Sequence, residues 1–478
     1  MGYASRILAN AATLLLQALF FFDMNPSMPT TAELRHWDLA HVWHPFTPML
    51  EYAAEETPII VAGEGFDLID SDGRRYLDGT SSLWCNVHGH RVPQLDQALK
   101  DQIDRISHST LLGLANGPSA ELAKELVARV PAGLNHVFYS DDGATAVEAA
   151  LKMAFQYHAH RGADPQQKNL FVSLGDAYHG DTIGAVSLGG IATFHRVFGS
   201  LLFRSLQVPT PGAYRLPSGM SRQQYLTYCD ETLERTLEEH HDRIAGFVIE
   251  PLVQGAAGML VHPAGYLKRV RQLTAHYGIP LIADEVFVGF GRTGTLFACE
   301  QESVIPDLLC IAKGLTGGYL PLAATLATDE IYNAFLDVPS AGKTFYHGHT
   351  YTGNQLGCAV ALASCRLLDT NRVLDNVAVN QAIMQQWAEQ FRDHPHVGEI
   401  RQRGVILALE LVQDRSQQTP FPSEARIGHQ ISLAAMQHDV IIRPVGDVLV
   451  VMPAPAMPQS ILQRLLTATE RAIDLVLS

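Results

Sequence analysis

Three short apolar runs, GFVIE (246–250), PLIADE (280–285) and LLCIAK (308–313), each end in an ionisable residue and leave room between them for a helix or a long connection. Runs of this length and composition suit strands buried in a sheet. Between the first two, PAGYLKRVRQLTAHYG opens with Pro263 and closes with Gly278, the start and stop signals of a helix. The segment therefore reads as a βαβ unit. Its strands run parallel, so Glu250, Asp284 and Lys313 emerge together at the edge where open α/β sheets bind ligands.

The same alternation begins near Ser119, as a doubly wound α/β domain requires. HVFYSDDG reads as a strand and a tight turn. Ala146, Val147, Ala150, Leu151, Ala154 and Phe155 then form the stripe of a helix over Gly143–His158. At 478 residues and 47% apolar, the chain is long enough for one large and one smaller domain. The expected boundaries are an N-terminal extension over 1–34, a small domain built from 35–81 and 371–478, and a large domain over 82–370.

The balance of 34 basic and 49 acidic residues gives a net charge of −15, and no basic run follows. Nucleic acid is an unsuitable partner for such a surface. Six scattered cysteines without a CxxC pair suggest neither a zinc ribbon nor a disulfide framework, and a reducing cytoplasm fits them. Ile7–Phe22 is mostly apolar, but it is short for a membrane span and lacks a small-x-small cleavage site. It reads as a non-native extension, with no membrane partner.

Three chemistries use a carboxylate at a strand end. A Walker B strand would hold magnesium, but its nearest partner loop, DVPSAGKT (337–344), has Asp337 where GxxxxGK[ST] needs glycine. A metal hydrolase would use the triplets His88-Gly89-His90 and His347-Gly348-His349 with Asp284, yet isolated H-x-H pairs usually hydrogen-bond locally. No metal is expected. The third chemistry uses Lys313 as well. A desolvated lysine offers a neutral amine able to form a Schiff base, and pyridoxal phosphate needs that amine and a carboxylate for its ring nitrogen. Taken singly, Asp284 reads as a cap and Lys313 as a snorkelling surface lysine.

DEVFVGFGRTG (284–294) and AKGLTGGYLP (312–321) resemble the signature of the class III aminotransferases of pyridoxal-phosphate fold type I, and the resemblance extends from about His41 to the C-terminus. It implies a mostly parallel seven-stranded sheet flanked by helices, with a smaller α+β domain from both chain ends. HVWHPFTPM (41–49), SSLWCNVHGH (81–90), YHGDTIGAVS (178–187) and IIRPVGDVLVVMP (441–453) are most similar to members that aminate 8-amino-7-oxononanoate in biotin synthesis.

The resemblance assigns roles residue by residue. Lys313 would carry pyridoxal 5'-phosphate and move the proton, Asp284 would face its ring nitrogen, and Tyr178 would stack on its ring. Gly143 and Ala144 would hold the phosphate through backbone N–H groups, Ala144 standing where serine is frequent. Glu250 would lie near the ring hydroxyl. Thr350 would reach the phosphate from the partner subunit, which implies a homodimer. Trp84, Phe46, Gly348, Arg292 and Arg443 would contact substrate, Arg443 taking its carboxylate. S-adenosylmethionine is the implied amino donor. Some members with phenylalanine at the position of Phe46, in place of tyrosine, use lysine, so lysine stands as the alternative donor and another class III ω-aminotransferase as the alternative reaction; Val450 is a second apolar residue where adenosylmethionine users can carry tyrosine.

Overall fold

The computed structural model describes residues 29–478, so the apolar stretch Ile7–Phe22 lies outside the described residues. Packing separates the chain into two units, one comprising residues up to 62 with 68–75, the other 63–67 with 76–478. In the first, helix Thr31–His41 begins within the segment expected to be an extension. Its start is fixed by a capping box: Thr30 Oγ1 accepts from Glu33 N (3.3 Å) and the Glu33 carboxylate accepts from Thr30 N (2.9 Å).

The second unit holds a seven-stranded sheet in the spatial order Leu134–Ser140, Ala323–Thr328, Leu308–Ile311, Leu281–Asp284, Ile244–Ile249, Leu170–Leu174 and Leu206–Val208. Ala323–Thr328 is antiparallel to both neighbours, and the other pairings are parallel. The three apolar runs are adjacent central strands, with Leu281 opposite Phe247 and Asp284 opposite Cys310. All their strand residues are buried, which is why they read as unbroken apolar runs.

Helix Gly143–His160 crosses this sheet, burying Ala146, Val147, Ala150, Leu151 and Ala154. The helix Tyr266–His276 lies inside its expected window and buries Leu267, Val270 and Leu273. Near the C-terminus, Val397–Arg403, Ile406–Leu411 and Val448–Val451 form a separate antiparallel sheet. The residues after 371 do not separate from the large sheet as the expected boundary would have it. One continuous apolar cluster joins Phe247, Ala283 and Leu322 to Leu449, Leu462 and Leu466, and burying that surface together favours a single unit.

Candidate active site

Where the central strands end, a cavity of about 730 Å³ opens. Lys313, Asp284, Glu250, Tyr178, Gly143, Ala144 and Trp84 all line it. Seven of the residues singled out from sequence are therefore together, contributed by six separate segments of the chain.

Asp284 ends its strand with its carboxylate buried at the cavity. Its Oδ2 lies 2.7 Å from His179 Nδ1, and its Oδ1 accepts from Val286 N (3.1 Å). An ionised carboxylate only accepts, so Nδ1 carries the proton. Burial alone would pull His179 down, but the hydrogen bond and charge of Asp284 and the charge of Glu250 leave its pKa raised. Glu285, one residue on, is the first residue beyond the strand. It is fully buried and accepts from Ala298 N and Cys299 N, both at 2.8 Å, at the start of the short helix Ala298–Glu302. Burial pushes its pKa up to about 7, against those two bonds.

Glu250 joins two loops. Its carboxylate accepts from Tyr178 N (3.2 Å) and Gly255 N (2.9 Å), and burial raises its pKa to about 7, with His179 opposing and Asp284 adding to the rise. Tyr178 donates its hydroxyl to Asp181 (2.7 Å). His179 and Asp181 were not singled out from sequence; both flank Tyr178 in YHGD, and the spacing alone carries no sign that one turns inward to Asp284.

Lys313 begins the loop after its strand at φ +44°, a left-handed conformation that a non-glycine residue adopts only when its surroundings hold it there. Burial pulls its pKa below the ordinary lysine value, while the charges of Asp284, Cys85 and Glu250 oppose the fall. Its Nζ lies 5.5 Å from the centre of the Trp84 ring, and that ring packs against Phe287 at 4.8 Å.

Trp84 arrives there on an unusual turn. Ser81, Ser82, Leu83 and Trp84 have φ of 51°, 49°, 64° and 69°. A left-handed helical turn of L-residues costs about 1–2 kcal/mol per residue, so outside contacts must hold it. Arg292 is one of them. Its guanidinium donates to Ser81 Oγ (3.1 Å), Pro453 O (2.9 Å) and Asn86 O (2.7 Å), and the side chain is fully buried. Burial pulls its pKa down to about 10. Arg292 is not among the cavity's lining residues; in this chain it braces the turn that carries Trp84.

At the other end of the cavity, helix Gly143–His160 presents its N-terminus. Asp142 caps it, accepting from Thr145 N (2.8 Å). A Cβ at Gly143 would meet Val286 Cγ1 at 2.5 Å, so a side chain there would displace the neighbouring wall. Gly180 sits at φ +122°, and a Cβ on it would collide with Ala144. Free backbone N–H groups and the positive end of the helix dipole make this an anion cradle.

The remaining expectations fall elsewhere. Gly348 (φ +145°) and exposed Thr350 lie on the 342–354 loop, outside the lining of this chain's cavity, and Arg443 is exposed after the strand Val440–Ile441. Phe46, at φ 51°, belongs to the first unit and is 56% exposed. Val450 is buried in its sheet opposite Ala408, so its apolar character reflects core packing. In the HGH triplets, His88 bonds to Ser364, His90 to Asp78, and His347 to Lys152. No group of three or more metal-ligating side chains forms among the described residues. Lys343 of DVPSAGKT pairs with Asp337 at 2.9 Å, and no strand precedes that loop as a Walker A motif needs.

The family model for class III aminotransferases matches residues 51–473. The chain belongs to the class III aminotransferases. The adenosylmethionine-8-amino-7-oxononanoate aminotransferase of Nitratidesulfovibrio vulgaris is 51% identical over 443 residues, covering 93% of this chain and 82% of that protein. The crystal structure of the enzyme of that name from Methanocaldococcus jannaschii superimposes with a TM-score of 0.88 at 40% identity, over 93% of this chain and 99% of that one. An (S)-enantioselective ω-transaminase from Thermomicrobium roseum gives 0.89 at 35% identity, over 95% and 100%. Class III aminotransferases depend on pyridoxal phosphate, and the cavity fits it: an amine, a carboxylate and a helix N-terminus line one space of suitable size.

Proposed function

We propose that this aminotransferase moves an amino group from S-adenosylmethionine to 8-amino-7-oxononanoate, giving 7,8-diaminononanoate in biotin synthesis. The observation that carries the reading is the meeting of Lys313 and Asp284 in one cavity, in a chain 51% identical to a relative of that name. When bound, pyridoxal phosphate supplies an aldehyde that takes the amino group and a ring that accepts electrons. Lys313, its pKa pulled down by burial, would hold the cofactor and move the proton at the reacting carbon. Asp284, fixed by His179, places a negative charge for the ring nitrogen. Gly143 and Ala144 hold the phosphate through N–H groups, Tyr178 covers the ring, and Glu250 faces the ring hydroxyl.

Trp84 and Phe287 keep water from the Lys313 side. Gly348 and Arg443 complete the substrate site, the Arg443 fork taking the acceptor's carboxylate. Thr350 completes the phosphate site of the partner subunit, which makes the working enzyme a cytoplasmic homodimer. Among the described residues, no helix is long and apolar enough to cross a membrane.

Phe46 favours a second reading for the donor, because it lacks the hydroxyl of the tyrosine expected in an adenosylmethionine user. The test supplies S-adenosylmethionine or lysine singly, with and without 8-amino-7-oxononanoate, and follows cofactor absorbance and diamine formation. Diamine with adenosylmethionine alone supports the first reading. Diamine with lysine alone replaces the donor, and no diamine with either overturns the acceptor.

A further inference from the structure

The left-handed turn Ser81–Trp84 has a second brace, which the site as described leaves without a task. Asp78 is 3% exposed, and its carboxylate accepts from Ser82 N (2.9 Å), Ser82 Oγ (2.7 Å) and Thr80 N (3.3 Å). His90 Nε2 lies 3.1 Å from the same carboxylate. The other ring nitrogen of His90 lies 3.3 Å from Asn86 Nδ2, and Asn86 Oδ1 accepts from Gly89 N (2.7 Å). With the proton on Nε2, facing the carboxylate, Nδ1 accepts from the amide. The first HGH triplet therefore belongs to a closed polar network around the turn.

The network leads to Lys313 from two directions. Through Ser82 it holds the turn that sets the Trp84 ring 5.5 Å from Lys313 Nζ. Through Asn86 it meets the lysine loop, where a Cβ on Gly318 (φ +86°) would stand 3.1 Å from the Asn86 backbone. Trp84 Nε1 is buried without a hydrogen-bond partner, so the indole is placed by its backbone and by ring packing alone. Asp78 itself is absent from the cavity lining.

We propose that Asp78 is a positioning residue for amino transfer, acting by holding Ser81–Trp84 in its left-handed turn so that the Trp84 ring closes the cavity beside Lys313. Burial opposes the charge on Asp78, and the bonds from His90 and Ser82 outweigh it, leaving the carboxylate ionised and able to accept from Thr80 N, Ser82 N and Ser82 Oγ. An amide at this position would bring a donor to a place where Ser82 and His90 both donate. The inference rests on the proposed aminotransferase reaction.

The test is a double-mutant cycle with Asp78→Ala, Trp84→Ala and the double variant, each assayed for kcat and KM. Near-UV circular dichroism, with the Trp84→Phe spectrum subtracted, reports the Trp84 environment. Asp78→Ala is expected to lower kcat/KM by about 100-fold, the size associated with a misplacement of about 1 Å, and to abolish the Trp84 signal. The double variant is then no worse than Trp84→Ala, because Asp78 has nothing left to position. Additive losses, or a lost activity with an unchanged Trp84 signal, would overturn the inference. If Asp78→Ala does not fold, Asp78→Asn takes its place in the same cycle, with the same two outcomes. The wild-type assay separates the premises: no amino transfer by wild type removes the reaction, whereas amino transfer with an additive cycle removes only the role of Asp78.

Discussion

Asp284 and Glu285 are consecutive carboxylates at the end of one strand, yet they serve opposite sides of it. Asp284 faces the cavity, shares it with Lys313 and is held by His179 at 2.7 Å. Glu285 turns away, and both its oxygens take backbone N–H groups that start the helix Ala298–Glu302. Asp284 closes the strand, Glu285 is the first residue beyond it, and their contacts divide them. Two consecutive carboxylates thus become a cavity-facing group and a helix-starting one, according to what each meets when buried.

The largest effect lies on the cavity side. Lys313→Ala is expected to lower turnover on the order of 10⁴-fold, since it removes the proton-transferring amine, while leaving the thermal midpoint near that of wild type. Turnover within tenfold of wild type would remove the chemistry from this side of the strand. Asp284→Asn comes next, with a loss on the order of 10³-fold in kcat at nearly unchanged cofactor-free stability, since the amide keeps the side-chain shape and a hydrogen-bond partner for His179. Its neighbour should give the crossed result. Glu285→Ala leaves two buried N–H groups unpaired and should destabilise the protein by about 2–4 kcal/mol, while the folded fraction keeps most of its turnover. Equal effects of the two substitutions on both readouts would break the comparison.

The pH dependence sharpens it further. Glu285 has its pKa raised by burial from an ordinary 4.5 to about 7. A raised carboxyl binds its proton more tightly when folded, so its contribution is full below pH 4.5 and is lost as pH rises through 7. Relative to Glu285→Gln, wild type should therefore lose up to roughly 3 kcal/mol over that window, readable from chemical unfolding of both proteins at pH 5 and pH 8. A stability difference that does not change with pH would contradict the account.

The sheet and the cavity were legible in the sequence because buried parallel strands read as short apolar runs, and because Glu250, Asp284 and Lys313 each follow one. The N-terminus of Gly143–His160 was legible for a similar reason, with Asp142 and Gly143 marking the boundary. The Ser81–Trp84 turn was not. Four non-glycine residues give no local signal for positive φ, and two of the groups that hold the turn there, Arg292 and the carbonyl of Met452, are far away in the chain. The contacts of Arg292 were hidden for the same reason, since only the folded chain reveals that its guanidinium is used by Ser81, Asn86 and Pro453. His179 was hidden beside Tyr178, and its bond to Asp284 spans 105 positions.

The most direct test of the central claim is borohydride reduction of the protein loaded with pyridoxal phosphate, followed by peptide mass mapping. The account predicts one cofactor adduct on the peptide carrying Lys313, and none in Lys313→Ala. An adduct on another lysine, or no adduct in wild type, would contradict it.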